Sequence, residues 1–239
     1  MPIDAGDMRL TVREAARLLE VSEKTVYRWI GRGVVPAYQI NGQYRFHQPE
    51  LLEWAAARRK KVSVDILAEP AGDEAACVGI AEALENGSIC YRVEGRDSAS
   101  ALRAVVKLMR LPEEVDRGFL LRALLAREAL GSTAVGDGIA IPHVRSPIVR
   151  HVRRPSITLC FLEHSIDFGA LDCRPVRALF TVLSPTIRAH LHLMLHLAFA
   201  LRDAAFQDAI QREASREEIL REARRVEALL VRLQADRPR

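Results

Sequence analysis

Aromatic residues are scarce: Phe, Trp and Tyr make up 5% of the 239 residues, so any core must be built mainly from aliphatic side chains. Cysteine is sparse too. Cys77, Cys90, Cys160 and Cys173 form no Cys-x-x-Cys pair, and most stand in apolar contexts. That excludes a zinc ribbon and a disulfide framework and predicts reduced thiols in a cytoplasmic protein, with no metal and no cofactor. No run approaches the ~18 apolar residues of a membrane helix, which predicts no membrane partner. Met1 to Leu10 carries Asp4, Asp7 and Arg9 and has no apolar centre, so no signal peptide is expected there. Internal repeats and low-complexity tracts are missing as well.

What is present is a hydrophobic fraction of 49%, ample for one large or two small cores. The net charge of +4 is unevenly placed. Residues 1–61 hold 11 Lys/Arg against 7 Asp/Glu, whereas residues 62–239 hold 24 of each. The first quarter therefore carries all the excess, as expected of a segment that meets a polyanion.

That quarter reads as two short helices, a hairpin and a third helix. Thr11-Val12-Arg13-Glu14 is a capping-box sequence, with the Thr hydroxyl and the Glu carboxylate each satisfying a backbone amide of the other. Ala15, Ala16, Leu18 and Leu19 give the helix its apolar face. Ser22 caps a second helix whose Val26, Trp29 and Ile30 point inward, and Gly31 and Gly33 end it. Asn41-Gly42 is a two-residue hairpin signal, and Pro49 suits the first turn of a helix carrying Leu51, Leu52 and Trp54.

With its Leu10–Ala16, Leu18–Ser22, Thr25–Ile30, Gly33–Ala37, Tyr44–Phe46 and Leu52–Trp54 stretches, this segment resembles the excisionase-type, MerR-like winged helix-turn-helix family. The resemblance implies a partner, double-stranded DNA, with the second helix in the major groove and the wing on the backbone or the adjacent minor groove. The candidate contact residues are Ser22, Lys24, Thr25, Tyr27, Arg28 and Arg32 on or beside that helix, with Gln43 and Arg45 on the wing. Paired half-sites would make the protein a homodimer.

Residues 62–76, with Glu69-Pro70-Ala71-Gly72-Asp73-Glu74, read as a linker. From 77 to 239 helical and extended segments alternate. A helical turn near Ile80 precedes a strand at Ile89–Val93, and Asp97 heads a helix with Leu102, Val105, Val106 and Met109 on one face. Pro112 opens another, with Val115, Phe119, Leu120, Ala123 and Leu124 inside. Strands are expected at 156–162 and 176–184, then a helix over 187–202 burying Leu191, Leu195, Ala198 and Leu201, then a charged C-terminal helical stretch. The fold class is α/β overall: a small, mostly α winged helix-turn-helix domain (1–61), the linker, and a layered α/β/α domain with a mixed sheet (77–239).

Between Arg127-Glu128 and His143 lies a loop with Gly131, Gly136 and Gly138, then the extended run Ile139-Ala140-Ile141 and a Pro142-His143 step. Glycines let backbone amides approach a bulky anion. Neutral imidazole is a nucleophile near pH 7, and Pro142 biases its neighbour towards an extended conformation. The pattern points to a phosphoryl group resting on His143. His192 and His196 stand at i, i+4, a metal-ligand spacing, but lack a carboxylate companion and read as core or surface histidines.

Residues 127–133, 138–143, 166–172 and 190–193, followed by Leu201-Arg202-Asp203, make the second segment resemble the enzyme IIA domain of the bacterial phosphoenolpyruvate:sugar phosphotransferase system, of the mannitol/fructose and nitrogen-regulatory class. The resemblance implies that His143 accepts phosphate from a histidine phosphocarrier protein. It gives Arg127 the part of a cation bridging phosphoryl oxygens and His190 that of a hydrogen-bond donor at a helix N-terminus. A IIB domain or a regulated protein is the further partner it implies. The family commonly has Gly after the Pro-His step where this chain has Val144; a left-handed backbone there would disfavour a β-branched residue. The expected function is a DNA-binding regulator with a phosphorylatable domain, the alternatives being a plain phosphoryl carrier or a IIA fold turned sensor. The first of these requires an accessible His143 ring with a cation beside it.

Overall fold

The Thr11 capping box forms as the sequence predicts. In the computed structural model, which describes residues 10–40, 42–58, 78–144 and 152–235, Thr11 N donates to Glu14 Oε2 at 2.7 Å and Glu14 N donates back to Thr11 Oγ1. Helix α1 (Val12–Leu18) thereby starts at a fixed residue and buries Val12, Ala15, Ala16 and Leu18. Ser22 caps α2 (Glu23–Gly31) by accepting from Thr25 N. Strands β1 (Tyr38–Ile40) and β2 (Gln43–Arg45) pair antiparallel, and α3 (Gln48–Ala57) follows. Trp54 Nε1 donates to Val34 O, and its ring packs on Trp29 with centroids 5.2 Å apart. These contacts fasten α3 to the far end of α2.

The chain divides into two compact units, Met1–Gly72 and Asp73–Arg239. The expected linker lies outside the described residues, as do Asn41 of the hairpin turn and His151.

The second unit is built on a five-stranded mixed sheet ordered β3-β6-β7-β5-β4: β3 (Ser88–Val93), β6 (Ser156–Ile166), β7 (Val176–Leu183), β5 (Ile139–Ala140) and β4 (Ala134–Gly136). β3 runs parallel to β6 and β5 parallel to β7, whereas β6–β7 and β4–β5 are antiparallel. On one face α5 (Ser98–Leu108) packs on β3, β6 and α6 (Arg117–Ala129). On the other, α4 (Ile80–Asn86) lies on β6, α7 (Ile187–Ala200) on β7, and α9 (Arg216–Ala235) over both helices, with α8 (Ala204–Gln211) against α9. This is the expected α/β/α layering, and β6 and β7 are buried along most of their length because helices cover both sides.

Three details differ from the sequence reading. Asp116, not Pro112, caps α6, its side chain accepting from Phe119 N. The buried stripe consequently runs through Leu120 and Leu124, and Phe119 is 41% exposed. In α7 the stripe falls on Ala189, His190, Leu193, Met194 and Leu197, leaving Leu191 and Leu195 only half-buried. The helix is wedged between β7 and α9 and turns its most shielded face to the sheet.

Candidate functional site

The glycine-rich loop is held by side chains at both ends. Near the end of α6, Glu128 Oε1 accepts from Thr133 N at 3.0 Å and Oε2 from Thr133 Oγ1 at 2.6 Å. Burial pushes the Glu128 carboxyl above its ordinary range, while the Thr133 hydrogen bonds pull the other way. Ser132 Oγ donates to Phe168 O, tying the loop to the 166–172 stretch after β6. The β4–β5 turn at Asp137-Gly138 has both residues at positive φ, 53° and 73°, and Asp137 N donates to Asp172 Oδ2 at 2.8 Å. That backbone hydrogen bond, with one from Arg174, holds the Asp172 carboxyl below the usual range.

Strand β5 carries the strand-to-histidine step. Ile141 N donates to Thr133 O, Val182 N donates to Pro142 O, and His143 forms a parallel bridge with Val182. The His143 Nδ1 lies 2.7 Å from Ile141 O. A carbonyl oxygen can only accept, so in this hydrogen bond Nδ1 carries the proton, and the neutral ring keeps its lone pair on Nε2. A continuous path therefore runs from Glu128 through Thr133 and Ile141 to the tautomer of His143. Sequence reasoning did not assign Glu128 or Thr133 a part. The available signal was a carboxylate at a helix end five residues before a threonine that leads into a strand.

His190 lies in the first turn of α7, whose N-cap Thr186 accepts from Ala189 N and His190 N. Its ring centroid is 5.3 Å from that of His143, with the planes at 40°. The structure thus brings the two predicted histidines together. Arg127 stays at the start of the loop, its Nη1 donating to Gly131 O at 2.9 Å.

The accessible ring expected from the sequence is not found: His143 is 3% exposed and His190 6%. The bridge to Val182 draws the His143 backbone into the sheet, and α7 lays His190 against its ring. Val144 is buried and is not among the residues with a left-handed backbone, so the residue in the family's glycine position introduces no strain of that kind.

In the first unit Lys24, Tyr27, Arg28 and Arg32 are exposed, with Thr25 half-buried. Ser22 is committed to capping, its Oγ 3.0 Å from Thr25 Oγ1. The Tyr27 ring meets Tyr44 of the hairpin edge-on at 6.4 Å, so α2 and the hairpin present one continuous surface. Gln43 is exposed, and its Oε1 accepts from Arg45 Nη2 at 2.6 Å.

Among the described residues, no three His, Cys, Asp or Glu side chains are grouped to hold a metal ion, and no helix is long and apolar enough to cross a membrane. The His192 and His196 rings lie with centroids 3.9 Å apart and planes tilted at 36°. Burial lowers both pKa values, that of His196 to about 3.

Residues 82–224 match the family described as phosphoenolpyruvate-dependent sugar phosphotransferase system, EIIA 2, and residues 9–59 match a helix-turn-helix domain. A nitrogen regulatory protein of Pseudomonas aeruginosa is 33% identical over 138 residues, 56% of this chain and 87% of that protein. The nitrogen regulatory protein of Escherichia coli is 33% identical over 134 residues, 54% of this chain and 78% of its own. The crystal structure of nitrogen regulatory protein IIA-Ntr from Neisseria meningitidis superposes with a TM-score of 0.52 at 26% identity, covering 60% of this chain and 98% of that one. On the match over 82–224, the chain belongs to the EIIA 2 family of the phosphoenolpyruvate-dependent sugar phosphotransferase system, and a helix-turn-helix domain precedes its EIIA domain.

Proposed function

We propose that the protein is a cytoplasmic DNA-binding regulator whose EIIA domain takes a phosphoryl group on His143 from a histidine phosphocarrier protein. The observation that carries this reading is the 2.7 Å hydrogen bond from His143 Nδ1 to Ile141 O, which leaves the Nε2 lone pair to attack phosphorus as the donor's P–N bond breaks. His190, 5.3 Å away between ring centroids, stands at a helix N-terminus where the backbone dipole favours an anion. Arg127 supplies a cation at the head of the loop. Attack on the donor requires a neighbouring side chain to give way first, because His143 is 3% exposed. Lys24, Tyr27 and Arg28 meet DNA from α2 and Arg32 from just beyond its end, Ser22 and Thr25 set its N-terminus, and Gln43 and Arg45 act from the wing, in a homodimer reading paired half-sites.

Phosphorylation adds up to two negative charges and alters DNA binding or self-association. Incubating the full chain with phosphoenolpyruvate, enzyme I and the phosphocarrier should deposit one acid-labile phosphate, absent from His143→Ala. Binding to duplex DNA should then differ between the phosphorylated and unmodified protein. Identical binding by both, and by His143→Ala, would remove the coupling.

The burial of His143 favours a second reading, in which the EIIA fold no longer takes phosphate and serves as a partner or ligand sensor. A phosphocarrier mixture that labels a companion EIIA protein and leaves this chain unlabelled would establish it. Passage of label onward to a IIB domain would instead make the protein a phosphoryl carrier of a sugar or nitrogen-regulatory system.

A further inference from the structure

Strands β3 and β6 place two of the sparse cysteines side by side. Cys90 and Cys160 are direct partners in the parallel register. Both face the layer under α5 and α6, where Cys160 is fully buried within the apolar cluster and Cys90 packs against its edge, half-buried. Neighbouring strands stand about 4.8 Å apart, inside the range of Cα separations a disulfide spans, roughly 4.4–6.8 Å.

The ladder is irregular just beyond this pair: after Cys90↔Cys160 the next partners are Val93↔Leu162, one residue longer on β3. Arg92, within the bulge, has φ 54°. A bulge interrupts the backbone ladder, so on its Val93 side Cys90 is not held by the regular register that pairs Ser88, Ile89 and Cys90 with β6.

The surroundings make the two thiols unequal. A hydrogen bond from Cys160 holds the Cys90 thiol down to about 6, helped by Ser88, whose Oγ lies 3.6 Å from the Cys90 sulfur, and by the guanidinium charges of Arg216 and Arg110. The same hydrogen bond, together with burial, pushes the Cys160 thiol up. The half-buried Cys90 is thereby biased towards the thiolate at neutral pH, and the buried Cys160 towards the protonated thiol.

We propose that Cys90 is an oxidation site for hydroperoxides, and that Cys160 resolves the product into a Cys90–Cys160 disulfide joining β3 to β6. The Cys90 thiolate attacks the peroxide oxygen, the O–O bond breaks, and the alcohol or water leaves with a proton, giving a sulfenic acid. Loss of the adjacent anion then lets the Cys160 thiol give up its proton and attack the Cys90 sulfur. The S–O bond breaks, water departs, and two thiols have lost two electrons to one peroxide. A dithiol reductant reverses the step. The inference is independent of what His143 does.

The test is hydrogen peroxide added to the reduced full chain at pH 7, followed by alkylation of the remaining thiols, intact-mass measurement and peptide mapping. At that pH a thiol near 6 has about 30-fold more thiolate than an ordinary cysteine, and its lower nucleophilicity cancels about tenfold of this, so Cys90 should react about threefold faster than an ordinary thiol. The expected product carries two alkyl groups where the reduced chain carries four and is two mass units lighter apart from those labels, with the link mapped to Cys90 and Cys160. Cys160→Ser should stop at a Cys90 sulfenic acid trapped by dimedone, and Cys90→Ser should leave Cys160 unreactive. Should either variant fold poorly, the wild-type peptide map decides. Oxidation of exposed Cys173 while Cys90 remains alkylatable, or a disulfide from Cys90 to Cys77 or Cys173, would overturn the proposal.

Discussion

Replacing Thr133 by Val removes one hydroxyl from the path that orients His143 and keeps the β-branched shape of the residue just ahead of β4. Thr133 is 3% exposed, and its Oγ1 donates to Glu128 Oε2 at 2.6 Å. A hydrogen bond to an ionised group contributes about 1.5–3 kcal/mol, and the half-buried carboxylate left behind has no replacement donor from Val. For a domain of this size that corresponds to a melting-temperature loss of roughly 3–12 °C. The assay can separate the two units because both tryptophans, Trp29 and Trp54, lie in the first. At pH 8 the variant should lower the transition seen by far-UV circular dichroism and leave that seen by tryptophan fluorescence in place. Thr181→Val is the internal contrast. Thr181 is fully buried, and among the described residues its Oγ1 has no hydrogen-bond partner, so the same chemical change removes a buried unpaired hydroxyl and should leave stability unchanged or raise it by about 1 kcal/mol. A Thr133→Val shift under ~1 °C, or equal losses for the two variants, would refute the assignment of Glu128–Thr133 as a supporting bond.

Arg28→Ala should weaken binding to a mixed-sequence DNA duplex and reduce the slope of log affinity against log salt by about 1, measured by fluorescence anisotropy; an unchanged slope would place Arg28 off the backbone. For His196 the folded pKa of about 3 lies below the ordinary 6.5. Its contribution to stability is therefore complete above pH 6.5 and is lost as pH falls from there towards 3. At pH 5.5 that loss is about 1.4 kcal/mol, so denaturant titrations of His196→Leu should show a correspondingly shallower fall between pH 7 and 5.5 than the wild type.

The elements most legible in the sequence were those fixed by local chemistry. The Thr11–Glu14 box, the Ser22 and Asp97 caps and the Pro-His strand end all depend on residues within a few positions of one another. The apolar faces of α6 and α7 were less legible, because the phase of a helix is set by its neighbours: Asp116 in place of Pro112 moved one stripe, and the wedge between β7 and α9 set the other. The pairing of His143 with His190 followed from the family pattern. Burial of the ring did not, since it depends on a bridge to Val182 nearly forty positions along the chain. Glu128 went unassigned for a related reason, because a carboxylate on the last turn of a helix reads as surface charge until the strand it holds is in view.

The central claim is that the Ile141 carbonyl fixes the His143 tautomer and leaves Nε2 as the phosphoryl acceptor. The most direct measurement is long-range 1H–15N correlation NMR on the imidazole-labelled full chain, before and after incubation with phosphoenolpyruvate, enzyme I and phosphocarrier. The prediction is a neutral His143 ring protonated at Nδ1 that becomes phosphorylated at Nε2. A ring protonated at Nε2, or phosphate attached to Nδ1, would contradict it.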